Sequence, residues 1–212
     1  MELKTGYQRI NGLRLNVHRF RDPAVLPSGL TILLLHGFLD AGATWDLVAE
    51  HLVRAGHDVV APDLRGFGQS DAVGPGGYYH FPDYVADVAE LVEALSPRRL
   101  AVVGHSMGGT VAALFAGARP ERVERLALLE GLGPVATEPA FAVDRMRQWL
   151  KDLGGLDRAP RALSSREEAI ERLVYRHPRV PRDVLATRAR LLTRADDAGR
   201  VVWAYDALHR TT

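Results

Sequence analysis

The chain has 212 residues, 47% hydrophobic and 25% charged, and its 27 basic and 26 acidic side chains leave a net charge of +1. That length holds one domain with a sizeable core, and the near-neutral balance, with Lys only at Lys4 and Lys151, argues against capture of nucleic acid or of an anionic membrane. With no cysteine, disulfides, thiolate metal sites and cysteine nucleophiles are excluded; no signal-peptide pattern opens the chain and no apolar run approaches ~20 residues, so a soluble, cytoplasmic protein is expected.

Residues 7–20 read as a β-hairpin, with Asn11-Gly12 as the tight turn and Leu13, Leu15 and Val17 alternating with polar residues. The unbroken apolar run Thr31–Leu35 fits a strand buried on both faces of a parallel sheet. A helix is expected from Trp45 to Ala55, ended by Gly56, then a strand at His57–Ala61 and a glycine-bearing loop from Asp63 to Gly77. Tyr84, Val85, Val88, Leu91, Val92 and Leu95 recur at helical spacing behind Pro82. Leu100–Val103 reads as a strand, Met107–Ala118 as a helix and Leu126–Leu129 as a strand. Strands alternating with helices imply an α/β fold, a mostly parallel sheet covered on both faces. From residue 138 to 208 the pattern changes to amphipathic helices (Phe141–Leu153, Ser165–Tyr175 and Pro181–Thr193), with no strand expected, and this segment reads as a helical cap. The resulting organisation is a core over 1–137, a cap over 138–208 and a tail over 209–212.

One motif in this frame carries chemistry. Gly104-His105-Ser106-Met107-Gly108 follows a buried strand and opens a helix, the context in which G-x-S-x-G marks a nucleophile elbow. Gly104 and Gly108 suit the sharp turn because neither has a Cβ to clash. The helix N-terminus aims backbone N–H groups at the serine. The alternative reading makes Ser106 an ordinary helix N-cap. His36-Gly37-Phe38 turns the chain after the earlier apolar strand, so the N–H groups of Phe38 and Met107 are expected to form an oxyanion hole. His36 reads as a buried residue bonded to its own loop.

His36-Gly37-Phe38-Leu39-Asp40, Pro62-Asp63-Leu64-Arg65-Gly66-Phe67-Gly68-Gln69-Ser70-Asp71 and Gly104-His105-Ser106-Met107-Gly108-Gly109 occur in the order that resembles the α/β-hydrolase superfamily, over residues 5–135. Gly76–Asp83 and Leu128–Gly131 look most like its serine-hydrolase-like branch, near epoxide hydrolases and haloalkane dehalogenases. Those two relatives use aspartate as nucleophile, whereas Ser106 points to acyl-enzyme chemistry. The resemblance implies ester hydrolysis on a small apolar substrate, needing neither cofactor nor metal. It makes the Asp63–Asp71 loop structural, held through Asp63 and Arg65. Asp40 reads as a helix cap and Trp45 as core.

A serine nucleophile needs a histidine held by a carboxylate. The family places the acid after the strand following the elbow strand, where Glu130 stands, or after a later strand beyond this chain; Glu130 also reads as a cap of the loop at Gly131. The family's histidine follows the last strand, and the stretch Ala207–Thr212 resembles the exit from a cap instead. His209 is therefore the candidate base, with His80 and His177 behind it; His105 is expected to point away, and His18, His51 and His57 fall in strand or helix contexts. The last strands and the loop carrying that histidine read as missing. The strand Leu126–Leu129 would then be an open edge that invites a second chain, a self-associated copy or the remainder of a longer product. Three readings stand: a serine esterase, an incomplete hydrolase serving as a binding module, and a cofactor-free perhydrolase.

Overall fold

The computed structural model describes residues 1–133, 136, 138–159 and 161–211. Strands β1 (Glu2–Ile10) and β2 (Leu13–Arg21) pair antiparallel with Ile10 opposite Leu13. The two residues between them have φ of +46° at Asn11 and +82° at Gly12. Both central residues of a type I′ hairpin turn need positive φ, and Asn-Gly supplies it.

The sheet continues through β3 (Thr31–Leu35), β4 (Asp58–Pro62), β5 (Leu100–His105) and β6 (Arg125–Leu129). Its order is β1-β2-β4-β3-β5-β6, with the last four strands mutually parallel and β2 antiparallel to β4. Helix α1 (Asp46–Arg54), preceded by a 3-10 turn at Gly42–Trp45, covers one face. There Trp45, Ala49 and Val53 bury Phe20, Ile32, Leu34 and Val59. Helices α2 (Phe81–Leu95) and α3 (Met107–Ala118) cover the other, packing Tyr84, Leu91, Val111 and Phe115 on Leu33, Leu35 and Val102. β3 and β5 are thus buried on both faces, the reason for their unbroken apolar runs. The mostly parallel α/β sheet is the architecture the sequence pattern implies.

β6 ends the sheet, and Leu126 and Leu129 on it are exposed. After it come α4 (Ala142–Gly154), α5 (Arg166–Arg176) and α6 (Arg182–Leu192). The expectation of no strand between 138 and 208 is corrected: β7 (Thr193–Ala195) and β8 (Val201–Trp203) form an antiparallel hairpin. Each strand has three residues, too short for a period-2 pattern to emerge. Val202 is fully buried, and Val201 and Trp203 pack on Leu163, Ala169 and Ala189, which tie the hairpin to α5 and α6. Residues 207–211, read as the end of a cap plus a tail, form one 3-10 turn with Leu208 and His209 buried. Thr137 and Thr212, at the expected boundaries, lie outside the described residues. Among the described residues no helix is long and apolar enough to cross a membrane.

Candidate active site

Between the end of β5 and the start of α3 stands one residue, Ser106, with φ +50° and ψ −117°. A residue with a Cβ rarely adopts this backbone, and holding it there costs about 1–3 kcal/mol. Its N–H donates to the Leu129 carbonyl at 2.9 Å and its carbonyl accepts from Thr110 N at 3.1 Å, so neighbours on both sides fix the turn. A Cβ on Gly104 would lie 2.3 Å from the Gly108 carbonyl oxygen, and one on Gly108 would lie 2.3 Å from that of Leu35. Backbone surrounds both positions, so only glycine fits. The Ser106 hydroxyl makes no capping hydrogen bond to α3, unlike an ordinary N-cap serine.

Next to the elbow runs the turn after β3. His36 is completely buried; its Nε2 accepts from Leu64 N at 2.9 Å and its Nδ1–H donates to the Gly37 carbonyl at 2.8 Å. These two bonds select one neutral tautomer, and burial lowers its pKa. The turn lies against the elbow, since a Cβ on Gly37 would sit 2.7 Å from His105 Nδ1 and 3.4 Å from Ser106 Cβ. His105 is thus beside the turn. Phe38 borders the same cavity as Ser106 and Met107. No hydrogen bond among the described residues engages the Phe38 amide. The Met107 amide, first in α3, belongs to the turn whose donors have no intrahelical acceptor.

Glu130 follows β6 at φ +52°, is exposed and borders the cavity. Behind it Gly131 and Gly109 meet, a Cβ on Gly131 falling 2.5 Å from Gly109 Cα, which seats the end of β6 on α3. His209 also borders the cavity but is 1% exposed, stacked between Phe67 at 3.9 Å and Tyr79 at 3.7 Å between ring centroids. The Tyr84 hydroxyl lies 3.3 Å from its Nδ1. None of the hydrogen bonds among the described residues joins His209 to Ser106 or to Glu130. His80 and His177 are exposed, His51 lies on α1, and His57 contacts the Ser28 hydroxyl at 2.8 Å.

Burial holds His209 down at about 4, against opposition from the nearby Asp206 charge. Because its folded pKa lies below the unfolded ~6.5, its neutral form supports the fold fully above pH ~6.5. That support fades as pH falls toward 4, costing about 3 kcal/mol in all; His36 acts with the same sign. Urea melts from pH 7 to pH 4 are expected to show this loss, and His209→Phe to remove much of it.

The loop after β4 is braced as the sequence implies. Asp63 is buried and accepts from His18 Nε2 at 3.2 Å, Asn16 Nδ2 at 2.9 Å, Gly42 N at 2.7 Å and Gln69 N at 2.9 Å. Burial alone would raise its carboxyl pKa, but these bonds, led by His18, hold it below the usual range. Arg65 grips Asp87 of α2 through two bonds of 2.6 Å. Asp40 accepts from Ala41 N and the Thr44 hydroxyl, serving the 3-10 turn rather than α1. The cavity bordered by Ser106, Glu130 and His209 is about 1210 Å³, mostly apolar. Tyr78 and Trp149, 5.5 Å apart, form one wall. Sequence reasoning gave Tyr78 no role there; Trp149 stands on the apolar side of an amphipathic helix, the signal that marks it as pocket-facing.

A family model described as the alpha/beta hydrolase fold matches residues 31–172. This chain belongs to the alpha/beta hydrolase family. A serine hydrolase-like protein of Danio rerio is 36% identical over 168 residues, covering 76% of this chain and 51% of the relative. The chain therefore spans about half the length of that relative. Among solved structures, a thioesterase domain from the curacin biosynthetic pathway superposes with a TM-score of 0.84 at 27% identity, covering 100% of this chain and 72% of that one. An epoxide hydrolase of Vigna radiata aligns with a TM-score of 0.59 at 27% identity, covering 71% of this chain and 45% of that one.

Proposed function

We propose that the chain is a serine hydrolase of carboxylic esters, acting through an acyl-enzyme on Ser106. The observation that carries the reading is the strained Ser106 backbone, maintained by surrounding main chain while the hydroxyl caps nothing. Fixed strain at a half-buried nucleophile that borders a cavity is a feature of reactive sites rather than of structural turns. In this reading Ser106 Oγ attacks the acyl carbon, and the Phe38 and Met107 amides hold the oxyanion. The alcohol then leaves with a proton, and water releases the acid. Glu130 supplies the carboxylate that orients a base. The similarity to a thioesterase domain extends the substrate class to thioesters.

The second reading, a binding module, is favoured by the state of His209. In its aromatic stack no hydrogen bond among the described residues joins it to Ser106 or to Glu130. A fluorophosphonate separates the two. Rapid covalent labelling, absent in Ser106→Ala, supports the hydrolase; an unlabelled, folded chain supports the binding module.

The same proposal includes a covering for the β6 edge and helices α4–α6 as a cap over the cavity. Leu126 and Leu129 on the strand are exposed, as are Val143, Met146 and Leu150 on α4. An open strand edge beside apolar side chains favours pairing with another strand, from a second chain or a longer product. Sedimentation of the 212-residue chain is expected to show association that rises with concentration. A monomer throughout would count against pairing between copies.

A further inference from the structure

A second cleft, of about 410 Å³, opens behind the cavity wall, between the Gly66–Ala72 loop and residues 204–207. Unlike the main cavity its lining is mostly polar. Arg194 reaches it from β7 and Arg158 from the segment after α4, with Gln69 and Tyr205 beside them.

The cleft holds two acidic residues, and both are already engaged. Asp71 takes bidentate bonds from Arg14 at 2.9–3.2 Å, and Asp206 accepts from the Tyr79 hydroxyl at 2.7 Å and from Leu208 N at 3.0 Å. Neither Arg158 nor Arg194 makes an ion pair with a carboxylate among the described residues. The wider field has the same sign: residues 158–194 carry ten arginines against four acidic residues, in a chain with a net charge of +1. Two guanidinium groups with no acidic partner, both lining one polar cleft, present fork-shaped sets of donors that suit a dianion.

We propose that this cleft binds the phosphate group of a small organic molecule between Arg158 and Arg194. One phosphate dianion satisfies both arginines, and the cleft is large enough to hold an organic part as well.

Calorimetric titration of the chain at constant ionic strength tests this with inorganic phosphate and with a phosphate monoester, phenyl phosphate. Phenyl phosphate is expected to bind at least as tightly as inorganic phosphate, and Arg158→Ala and Arg194→Ala each to weaken it by about tenfold or more. Arg166→Ala serves as the control, since it removes an exposed arginine of the same basic segment outside the cleft. Equal weakening by all three variants would reduce the effect to diffuse charge and overturn the proposal. So would phenyl phosphate binding much more weakly than inorganic phosphate, or no binding by the unmodified chain. Arg194→Lys, which keeps the charge but loses the fork, is expected to fall between the unmodified chain and Arg194→Ala; its far-ultraviolet dichroism guards against misfolding.

Discussion

Replacing Ser106 with alanine is expected to lower ester turnover by about 10⁶-fold, the loss typical when a serine nucleophile is removed. The fold should hardly notice. Alanine keeps the same Cβ in the same strained backbone, and no capping bond is lost because the hydroxyl makes none. Stability should change by no more than about 0.5 kcal/mol. The oxyanion donors of the proposed mechanism are backbone amides and would survive the substitution, so a residue of about 10³-fold over the uncatalysed rate can persist. Steady-state hydrolysis of an activated ester, read beside a urea melt, checks both halves. Turnover undiminished in a folded Ser106→Ala chain would remove Ser106 from the chemistry.

The largest loss of stability is expected at Asp87, which borders no part of the candidate site. Its side chain is 1% exposed and accepts two bonds from Arg65, itself 10% exposed, and one of 2.9 Å from Asn11 Nδ2. Asp87→Ala would leave the guanidinium buried, with only Asp83 at 3.8 Å to face. Breaking one side of such a pair costs about 3–5 kcal/mol, much of it the penalty of an uncompensated charge. The double replacement Arg65→Met with Asp87→Leu is expected to recover most of that loss, because it removes both desolvation penalties. Chemical denaturation of the unmodified chain and of both variants provides the comparison.

What the sequence showed depended on whether the signal was local. β3, β5 and α3 were readable because burial on two faces leaves an unbroken apolar run and because glycines mark the elbow. The Asn11-Gly12 turn was readable because a type I′ hairpin demands those residues. The β7–β8 hairpin was not, since three-residue strands carry no period. The surroundings of His209 were equally hidden: its stack comes from Phe67 and Tyr79, more than a hundred residues earlier in the chain. Glu130 could be placed after its strand, but nothing local announced its left-handed backbone. Arg65 was expected to brace its loop through a charge, yet its partner Asp87 lies on an amphipathic helix, where an acidic residue ordinarily faces water.

The bond from the Tyr79 hydroxyl to Asp206 spans 127 residues. It closes beside amide bonds that stitch Gly68 to Ala204 and Asp206 to Gly66. The wall of the main cavity is therefore also the seam where the chain returns from its helical segment. Changing Tyr79 alone removes one of the two hydrogen bonds to the Asp206 carboxylate; changing Asp206 alone leaves the O–H of a buried tyrosine without its acceptor. Reshaping one side of this wall by mutation is constrained by the other. In descendants of this chain, the two positions should drift as a pair or stay fixed.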